Sequence, residues 1–258
     1  RLGKYSYMVG MSALRVWLKQ GGEDVETWRF SPRFSLSRTF NKQWSASLNG
    51  NMGTSNPSLS QLSAVDQLTD SLQIKRGNPD LIPYYIYNGS FRLNYNKGKV
   101  NVGFYTNYSH RDNPIMTHVY RENNKFVHSY ANHDKFQKLS MGMNVRIGML
   151  WDILQLSAGV SNDRYWSHGL NYNHHVNSFG IDLQAALMYK NLTLMAMYHK
   201  NADSFYGEEL FTGEEMHYFG AQYRIKNVNL GLMLINPFSK EYKRTEEFRN
   251  QFAGYKYN

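Results

Sequence analysis

Residues 28–52 read WRFSPRFSLSRTFNKQWSASLNGNM, and their alternation sets the pattern for the whole chain. Five apolar residues stand at every second position from 28 to 36: Trp28, Phe30, Pro32, Phe34 and Leu36. Arginine, serine and threonine fill the positions between and after them, and the alternation resumes at Trp44 after a turn at Asn41-Lys42. Because successive side chains of a strand point to opposite faces, this stretch predicts a β-hairpin with one apolar and one polar face.

Similar alternation recurs along the chain and predicts about eleven strands. Besides the two arms of the first hairpin, the predicted strands are 5–18, 84–95, 99–110, 136–148, 152–166, 176–189, 192–201, 216–225 and 228–235. Alternation in the first of these is mixed, so its register is not predicted. Strands of soluble proteins are usually about 5–6 residues long, whereas a strand that crosses a bilayer needs roughly 9–11. The predicted lengths therefore favour strands that span a membrane.

The predicted connections alternate between short and long. Short turns fall at 41–42, 96–98, 149–151, 190–191 and 226–227, and long loops at 19–27, 53–83, 111–135, 167–175 and 203–215. Short periplasmic turns and long outer loops are typical of an up-and-down membrane barrel, whereas a soluble sandwich has no reason to keep that order. Within the loops, apolar residues spaced three or four apart predict a short amphipathic helix; they are Leu59, Leu62, Val65, Leu68 and Leu72. The pair Asn123-Asn124 predicts a small hairpin.

Aromatic residues make up 15% of the chain, and many occupy the apolar face near strand ends. These are Trp28, Phe40, Trp44, Tyr85, Tyr95, Tyr108, Trp166, Tyr189, Tyr198 and Tyr223. Amphipathic rings are stable at headgroup depth, so this distribution predicts two interfacial girdles. A soluble β-sandwich with core aromatics is the alternative. Strand length, loop order and aromatic placement together favour an all-β, antiparallel up-and-down transmembrane β-barrel in the bacterial outer membrane.

The net charge of +9 would suit nucleic acid, but the basic residues are dispersed over polar faces and turns. We therefore predict no nucleic-acid partner. The chain has no cysteine, which excludes disulfides and Cys-ligated metal sites. No stretch approaches the ~18 apolar residues that a membrane helix needs.

The strand count predicts that residues 1–258 are a partial barrel. The last predicted strand, 228–235, runs outward, and single-chain bacterial barrels have an even number of strands. An open sheet edge cannot face lipid, because each unpaired backbone group there costs several kcal/mol. We therefore expect further strands outside this sequence to close the barrel.

A family resemblance begins at Gly77-Asn78-Pro79-Asp80-Leu81-Ile82-Pro83, which leads into the strand Tyr84-Tyr85-Ile86-Tyr87-Asn88. This motif resembles the barrel of TonB-dependent outer-membrane receptors, most of all those of the Bacteroidetes group. The tail, with Asn236-Pro237-Phe238, Arg244 and Phe248-Arg249, is similar to their penultimate strand and last outer loop. The family has a 22-stranded barrel, an N-terminal plug and a segment that contacts TonB. The resemblance implies that 1–258 is the C-terminal part of such a barrel, with no plug domain present.

The resemblance implies import of a nutrient ligand through the outer membrane. The implied partners are the plug domain and further strands of the same protein, the TonB complex, outer-membrane lipid and lipopolysaccharide, and a surface lipoprotein. The alternative is a free-standing barrel of about twelve strands that acts as a pore or a lipid-modifying enzyme. That enzyme would need a Ser/His pair at the lipid boundary, and His199 and His217 have no obvious Ser and acid partners. We therefore predict that the chain is not an enzyme.

Candidate binding residues lie on the polar face, which would line the barrel interior. They are Arg29, Arg33, Asn88, Arg92 and Asn107. Each could contact a ligand or the plug, and their positive charge favours an anionic guest. Gly77, Asn78, Pro79 and Pro83 are assigned a structural role, because two prolines fix φ and Gly77 permits φ > 0.

Neither a metal, a cofactor nor a catalytic residue is predicted. His168, His174 and His175 lie in a polar loop with no carboxylate at ligand spacing. The acidic loop 203–215 lacks the pattern of a dedicated calcium loop. The chain has no Gly-x-Ser-x-Gly elbow and no phosphate loop.

Overall fold

A computed structural model describes residues 5–20, 23–69, 71–239, 244–250 and 255–257 of the chain. In chain order its elements are β1 (Tyr5–Gln20), β2 (Glu23–Thr39), β3 (Trp44–Ser55), α1 (Leu59–Leu62), β4 (Gln67–Leu68), β5 (Gln73–Lys75), β6 (Tyr84–Lys97), β7 (Val100–Asp112), β8 (Ile115–Glu122), β9 (Lys125–Asn132), β10 (Lys135–Leu150), β11 (Leu154–His168), β12 (Asn173–Tyr189), β13 (Leu192–Lys200), β14 (Ser204–Tyr206), β15 (Glu209–Phe211), β16 (Glu215–Ile225), β17 (Val228–Ile235), β18 (Glu246–Phe248) and β19 (Tyr255–Tyr257).

Eleven long strands form one antiparallel sheet in the order β1-β2-β3-β6-β7-β10-β11-β12-β13-β16-β17. Each strand pairs with the next long strand along the chain, so the sheet has up-and-down topology. The predicted strand number and topology are confirmed. Among the described residues the sheet is open, with β1 and β17 as its two edges.

The strand register places the alternating apolar residues on one face. Leu36 of β2 lies opposite Tyr7 of β1 and Leu48 of β3. This pairing also decides the register of β1, which its sequence leaves open. Val9, opposite Phe34, is 82% exposed, and large apolar side chains are exposed all along this face. So much exposed apolar surface is stable when it faces lipid rather than water.

The buried core lies at the loop end of the sheet. One cluster joins Met116 and Phe205 from the loops to Phe136 and Tyr165 of the long strands. A second cluster contains Leu62, Leu81 and Ile115. Two small sheets, β4-β5-β9-β8 and β14-β15-β18-β19, are built from the connections and the tail. The outward face of the main sheet needs no protein core because lipid covers it, so burial is concentrated where the loops meet.

Two of the predicted long loops are shorter than expected. In the first, strand pairing continues until Gln20 lies opposite Glu23, which leaves only residues 21 and 22 between the strands. In the backbone register, position 19 lies opposite position 24. In the second, β11 and β12 pair up to His168 opposite Asn173, so only four residues connect them. The prediction of loops at 19–27 and 167–175 is therefore wrong in extent.

The predicted amphipathic helix is a single turn. Helix α1 begins after Ser58, whose side chain accepts from the backbone N–H of Gln61 while the Gln61 side chain accepts from the backbone N–H of Ser58. Leu62 is buried, but Leu68 pairs with Ile74 in β4-β5 instead of continuing the helix. Among the described residues, no helix is long and apolar enough to cross a membrane.

The predicted hairpin at Asn123-Asn124 is confirmed between β8 and β9. Both asparagines have positive φ, 47° and 64°, as a type I′ turn requires. We expect Asn124→Val to destabilise this hairpin by about 1–2 kcal/mol, because a β-branched residue is strained in the left-handed region. Asn124→Gly should keep or raise its stability. Hydrogen exchange of residues 115–132 measures both, and equal protection in the two variants would contradict the assigned turn.

Candidate functional site

The five predicted binding residues lie on one face of the main sheet. Arg33 is opposite Asn51, and Asn51 is opposite Asn88, so all three share a face. Asn88 is opposite Ser109, two residues from Asn107 on β7. Arg29 and Arg92 are each four residues from a member of this row along the same strand, and therefore lie on the same face about 13 Å away. We call this polar face the inner face.

The structure brings only two of these five residues into a common cavity. Asn88 and Asn107 line a hollow of about 260 Å³, together with Asn49, Asn51, Ser90, Ser109, Lys138 and Ser140. A second cavity of about 500 Å³ shares Asn107 and Ser140 with it. Tyr105, Ser161, Asp163, Asn201, Glu214 and Arg244 line this second part. We call the two together the polar hollow.

Amide and hydroxyl groups dominate the first part of the polar hollow. Asn49 accepts from the Ser35 hydroxyl at 2.7 Å, and its amide donates to the Ser90 hydroxyl at 3.4 Å. Lys138 Nζ lies 2.8 Å from Asp163 Oδ2, so its charge is paired. These groups offer many donors and acceptors with little net charge, which suits an uncharged polar group of a ligand or a plug loop.

The three predicted arginines do not line the polar hollow among the described residues. Arg29 is 8% exposed, and its guanidinium donates to the Asn56 side chain, just beyond β3. Arg33 and Arg92 are exposed on the inner face. The positive charge that favours an anionic guest is thus spread along the face and not focused at the hollow.

Folded loops cover the loop end of the inner face. Phe136 and Tyr165 point to this face, because Tyr165 lies opposite Lys138 in the register. Phe205 packs against Tyr165, and Tyr206 packs edge-on against Phe136 with ring centroids 4.9 Å apart. The Tyr206 hydroxyl donates to the carbonyl of Ile115 at 2.9 Å. The connections β7–β10 and β13–β16 therefore meet above the polar hollow.

The Gly77–Pro83 motif is tied to its neighbours by backbone contacts. The Gly77 N–H donates to the Ser63 carbonyl at 2.8 Å, and the Asn78 N–H donates to the Gln61 carbonyl at 2.6 Å. The Asn78 side chain donates to the Tyr130 carbonyl and accepts from the Asp80 N–H. Gly77 does not use the positive φ that glycine permits. A glycine is required at position 77 because an added Cβ would lie 2.5 Å from the Ser63 carbonyl oxygen.

The histidine considered for lipid-modifying chemistry does have an acid partner, which sequence spacing did not reveal. His199 Nδ1 lies 2.9 Å from Asp182 Oδ2, a residue directly opposite it on β12. Its other nitrogen, Nε2, lies 2.8 Å from the Asn201 side chain. Both ring nitrogens are occupied, so this pair has no free nitrogen to activate a serine. The second histidine considered, His217, accepts a hydrogen bond through Nε2 from the Phe238 N–H.

The acidic residues of loop 203–215 are held separately. Asp203 accepts from the Gly213 N–H, and Glu209 accepts from the Thr117 hydroxyl. Glu215 accepts from the Tyr198 hydroxyl at 3.0 Å. Within the described part of the chain, no three His, Asp or Glu residues are placed to hold a metal ion.

A family model of outer membrane beta-barrel proteins matches residues 13–258, nearly the whole chain. The chain belongs to this outer membrane protein beta-barrel family. No curated protein sequence matches it significantly. Family membership and the open antiparallel sheet place the protein in the bacterial outer membrane.

Solved structures with a similar fold are an iron transporter and siderophore receptors. The FrpB iron transporter of Neisseria meningitidis has TM-score 0.65 and 14% identity, over 94% of this chain and 40% of that chain. The siderophore receptor PirA of Pseudomonas aeruginosa has TM-score 0.66 and 13% identity, over 94% and 46%. The ferric enterobactin receptor PfeA of the same organism, in complex with enterobactin, has TM-score 0.63 and 15% identity, over 90% and 38%.

This family member therefore spans less than half the length of those solved structures. The likeness concerns the fold, and it confirms the predicted resemblance to the barrels of TonB-dependent receptors. Sequence reasoning found the inner face but missed Lys138, Ser140 and Asp163 in the polar hollow. Lys138 and Ser140 alternate with apolar neighbours in β10, and this alternation could have assigned them to the inner face.

Proposed function

We propose that this chain is part of the barrel of a TonB-dependent outer-membrane receptor that imports a nutrient ligand. The main support is the combination of an apolar outer face with a polar hollow beneath folded loops. A barrel of this kind binds its ligand near the loops and passes it along a polar interior. The fold likeness to an iron transporter and to siderophore receptors agrees with an import role.

The proposal assigns residues 1–258 to the C-terminal part of a larger barrel, with a plug domain and further strands in the same protein. The edge strands β1 and β17 support this assignment, because their backbone groups need partners within the membrane. The plug would contact the inner face, and the TonB complex would act on the plug. Lipopolysaccharide and outer-membrane lipid would surround the apolar face, and a surface lipoprotein would cover the loop end.

Within this proposal the predicted residues divide into two groups. Asn88 and Asn107 contact the ligand or the plug from the polar hollow. Arg33 and Arg92 contact the plug from the exposed inner face, whereas Arg29 anchors Asn56. Gly77, Asn78, Pro79 and Pro83 hold the loop in place. The chain is non-catalytic in this scheme and requires no metal or cofactor.

Comparison of spent media tests the import proposal even while the nutrient is unidentified. A strain that lacks this protein and a strain that lacks TonB should leave the same compound unconsumed, and complementation with the wild-type gene should restore its uptake. The native polypeptide in the outer-membrane fraction should have a mass near three times 30.1 kDa. Uptake that persists without TonB, or a native mass near 30.1 kDa, would favour the free-standing barrel instead.

A further inference from the structure

A separate cavity of about 480 Å³ lies inside the folded loops. Five segments meet there: β8, the residue that follows β9, the β11–β12 connection with the start of β12, Glu208 between β14 and β15, and residues 249–250. It shares no lining residue with the polar hollow, as far as the described chain extends. Its volume is within the range of small-molecule sites.

Glu208 is a buried carboxylate on the wall of this loop cavity. It is 3% exposed, and its Oε2 accepts from the Asn250 amide at 2.8 Å. Its Oε1 lies 3.9 Å from His174 Nε2, which also lies 3.1 Å from the Arg249 carbonyl oxygen. Across the described residues, no lysine or arginine forms an ion pair with Glu208. Arg249 also lines the cavity, but its guanidinium is paired with Glu247 at 2.8 Å. Burial raises the pKa of its carboxyl, since a buried anion without a cation is unfavourable.

His133 lies on the wall of the same cavity and carries an unused hydrogen-bond donor. It is 2% exposed, and its Nδ1 accepts from the Leu170 N–H at 3.2 Å. The hydrogen of the neutral ring is therefore on Nε2, which is buried and has no partner in the described structure. Burial lowers the pKa of His133 to about 4, with a smaller contribution from nearby His118. The ring thus stays neutral at physiological pH.

Aromatic rings form part of the remaining wall, which also includes Val119, Leu170, Asn171, Asn173 and Arg249. Tyr172 is stacked on His174 with ring centroids 4.9 Å apart and an interplanar angle of 17°. The ring centroid of Tyr172 also lies 5.5 Å from that of His133. These contacts fix the rings around Glu208 and His133, so the two polar groups are held in place before any ligand binds.

We propose that the loop cavity binds a small ligand that carries a primary ammonium group, with Glu208 as its counter-charge and His133 Nε2 as donor to an oxygen of the same ligand. A buried carboxylate without a cation favours an ammonium group over a neutral hydroxyl. An uncharged sugar would leave the charge of Glu208 unpaired, so it is the less favoured ligand. The site goes beyond the import proposal, because binding here requires neither a plug nor TonB.

Tyramine and tyrosol form a matched probe pair, since they differ only in an ammonium group against a hydroxyl. Titration calorimetry of the purified full-length protein in detergent should show tyramine bound at least about tenfold more tightly than tyrosol. Glu208→Gln should remove this preference. Glu209→Gln is the matched control and should keep it, because Glu209 bonds Thr117 and does not line the cavity. His133→Phe should weaken both probes by a similar factor.

Equal affinity for tyramine and tyrosol in the wild-type protein would overturn the proposal even if Glu208→Gln fails to fold. Binding of neither probe, binding of a disaccharide in their place, or an unchanged preference in Glu208→Gln would also overturn it. The calorimetry uses isolated protein, whereas the import test uses cells with and without TonB. Failure of one proposal is therefore distinguishable from failure of the other.

Discussion

Leu156→Arg is expected to lower the free energy of unfolding of the membrane-folded protein by about 2–4 kcal/mol. Leu156 lies on the apolar face, opposite Ile147 on β10 and Ala185 on β12. It shares the lipid-facing side of β11 with Leu154, Ala158 and Val160, so an arginine there must bring its charge into the hydrocarbon or distort the bilayer. Equilibrium denaturant unfolding in phospholipid vesicles, followed by tryptophan fluorescence, measures the cost.

Ser157→Arg is the matched control, one residue away on the opposite face. Ser157 lies opposite Arg146 and Gln184 on the inner face, where water and polar groups solvate a charge. Its substitution should therefore cost much less than that of Leu156. Similar costs at the two positions would mean that the assignment of the lipid face is wrong.

Gly77→Ala is expected to destabilise the folded loops by about 1–3 kcal/mol. The new Cβ would lie 2.5 Å from the Ser63 carbonyl oxygen, 2.6 Å from that of Gln61 and 2.8 Å from the Ser63 nitrogen. All three are backbone atoms, so no side chain can rotate away to relieve the clash. Hydrogen exchange of residues 56–83 should become roughly five- to hundredfold faster where exchange follows local opening.

Gly89→Ala provides the comparison for that experiment. Gly89 lies in β6, and an added Cβ there meets no atom within 4 Å. Exchange in residues 56–83 should stay at the wild-type rate in this variant. If Gly77→Ala also left the exchange unchanged, the tight packing of the motif against residues 61–63 would be disproved.

The two faces of the sheet place different requirements on the sequence. The outer face needs only apolar side chains, so each strand can satisfy this requirement independently of its neighbours. The inner face needs specific groups at specific places, and those come from different strands. In the polar hollow, for example, Asn88 of β6 and Lys138 of β10 meet only because the register aligns both with Ser109.

Much of the fold was predictable because the pattern is local. The period-two alternation from Trp28 to Leu48 determined which side chains share a face, and the Asn123-Asn124 pair identified its turn. Prediction was weaker at the connections. Charged residues at 19–27 suggested a loop, but the strands pair to Gln20 and Glu23, because antiparallel pairing can extend beyond the membrane.

For the candidate binding site, the sequence predicted only which face of the sheet its residues occupy. The alternation placed Arg29, Arg33, Asn88, Arg92 and Asn107 on one face of the sheet, but it gave no information on which of them share a cavity. The acid partner of His199 was missed because Asp182 is opposite it on another strand and 17 residues away in sequence. Spacing along a chain does not reveal pairing across a sheet.

The sequence by itself determined the strand pattern, the apolar and polar faces and, through them, membership of the outer-membrane barrels. Alternation suffices for this because each strand meets lipid on one side and a polar interior on the other. Only the tertiary structure decided the register of β1, the polar hollow and the loop cavity where Glu208 meets His133. These depend on contacts between segments far apart in the chain, which are set by packing of the whole assembly and leave no periodic signal in any one segment.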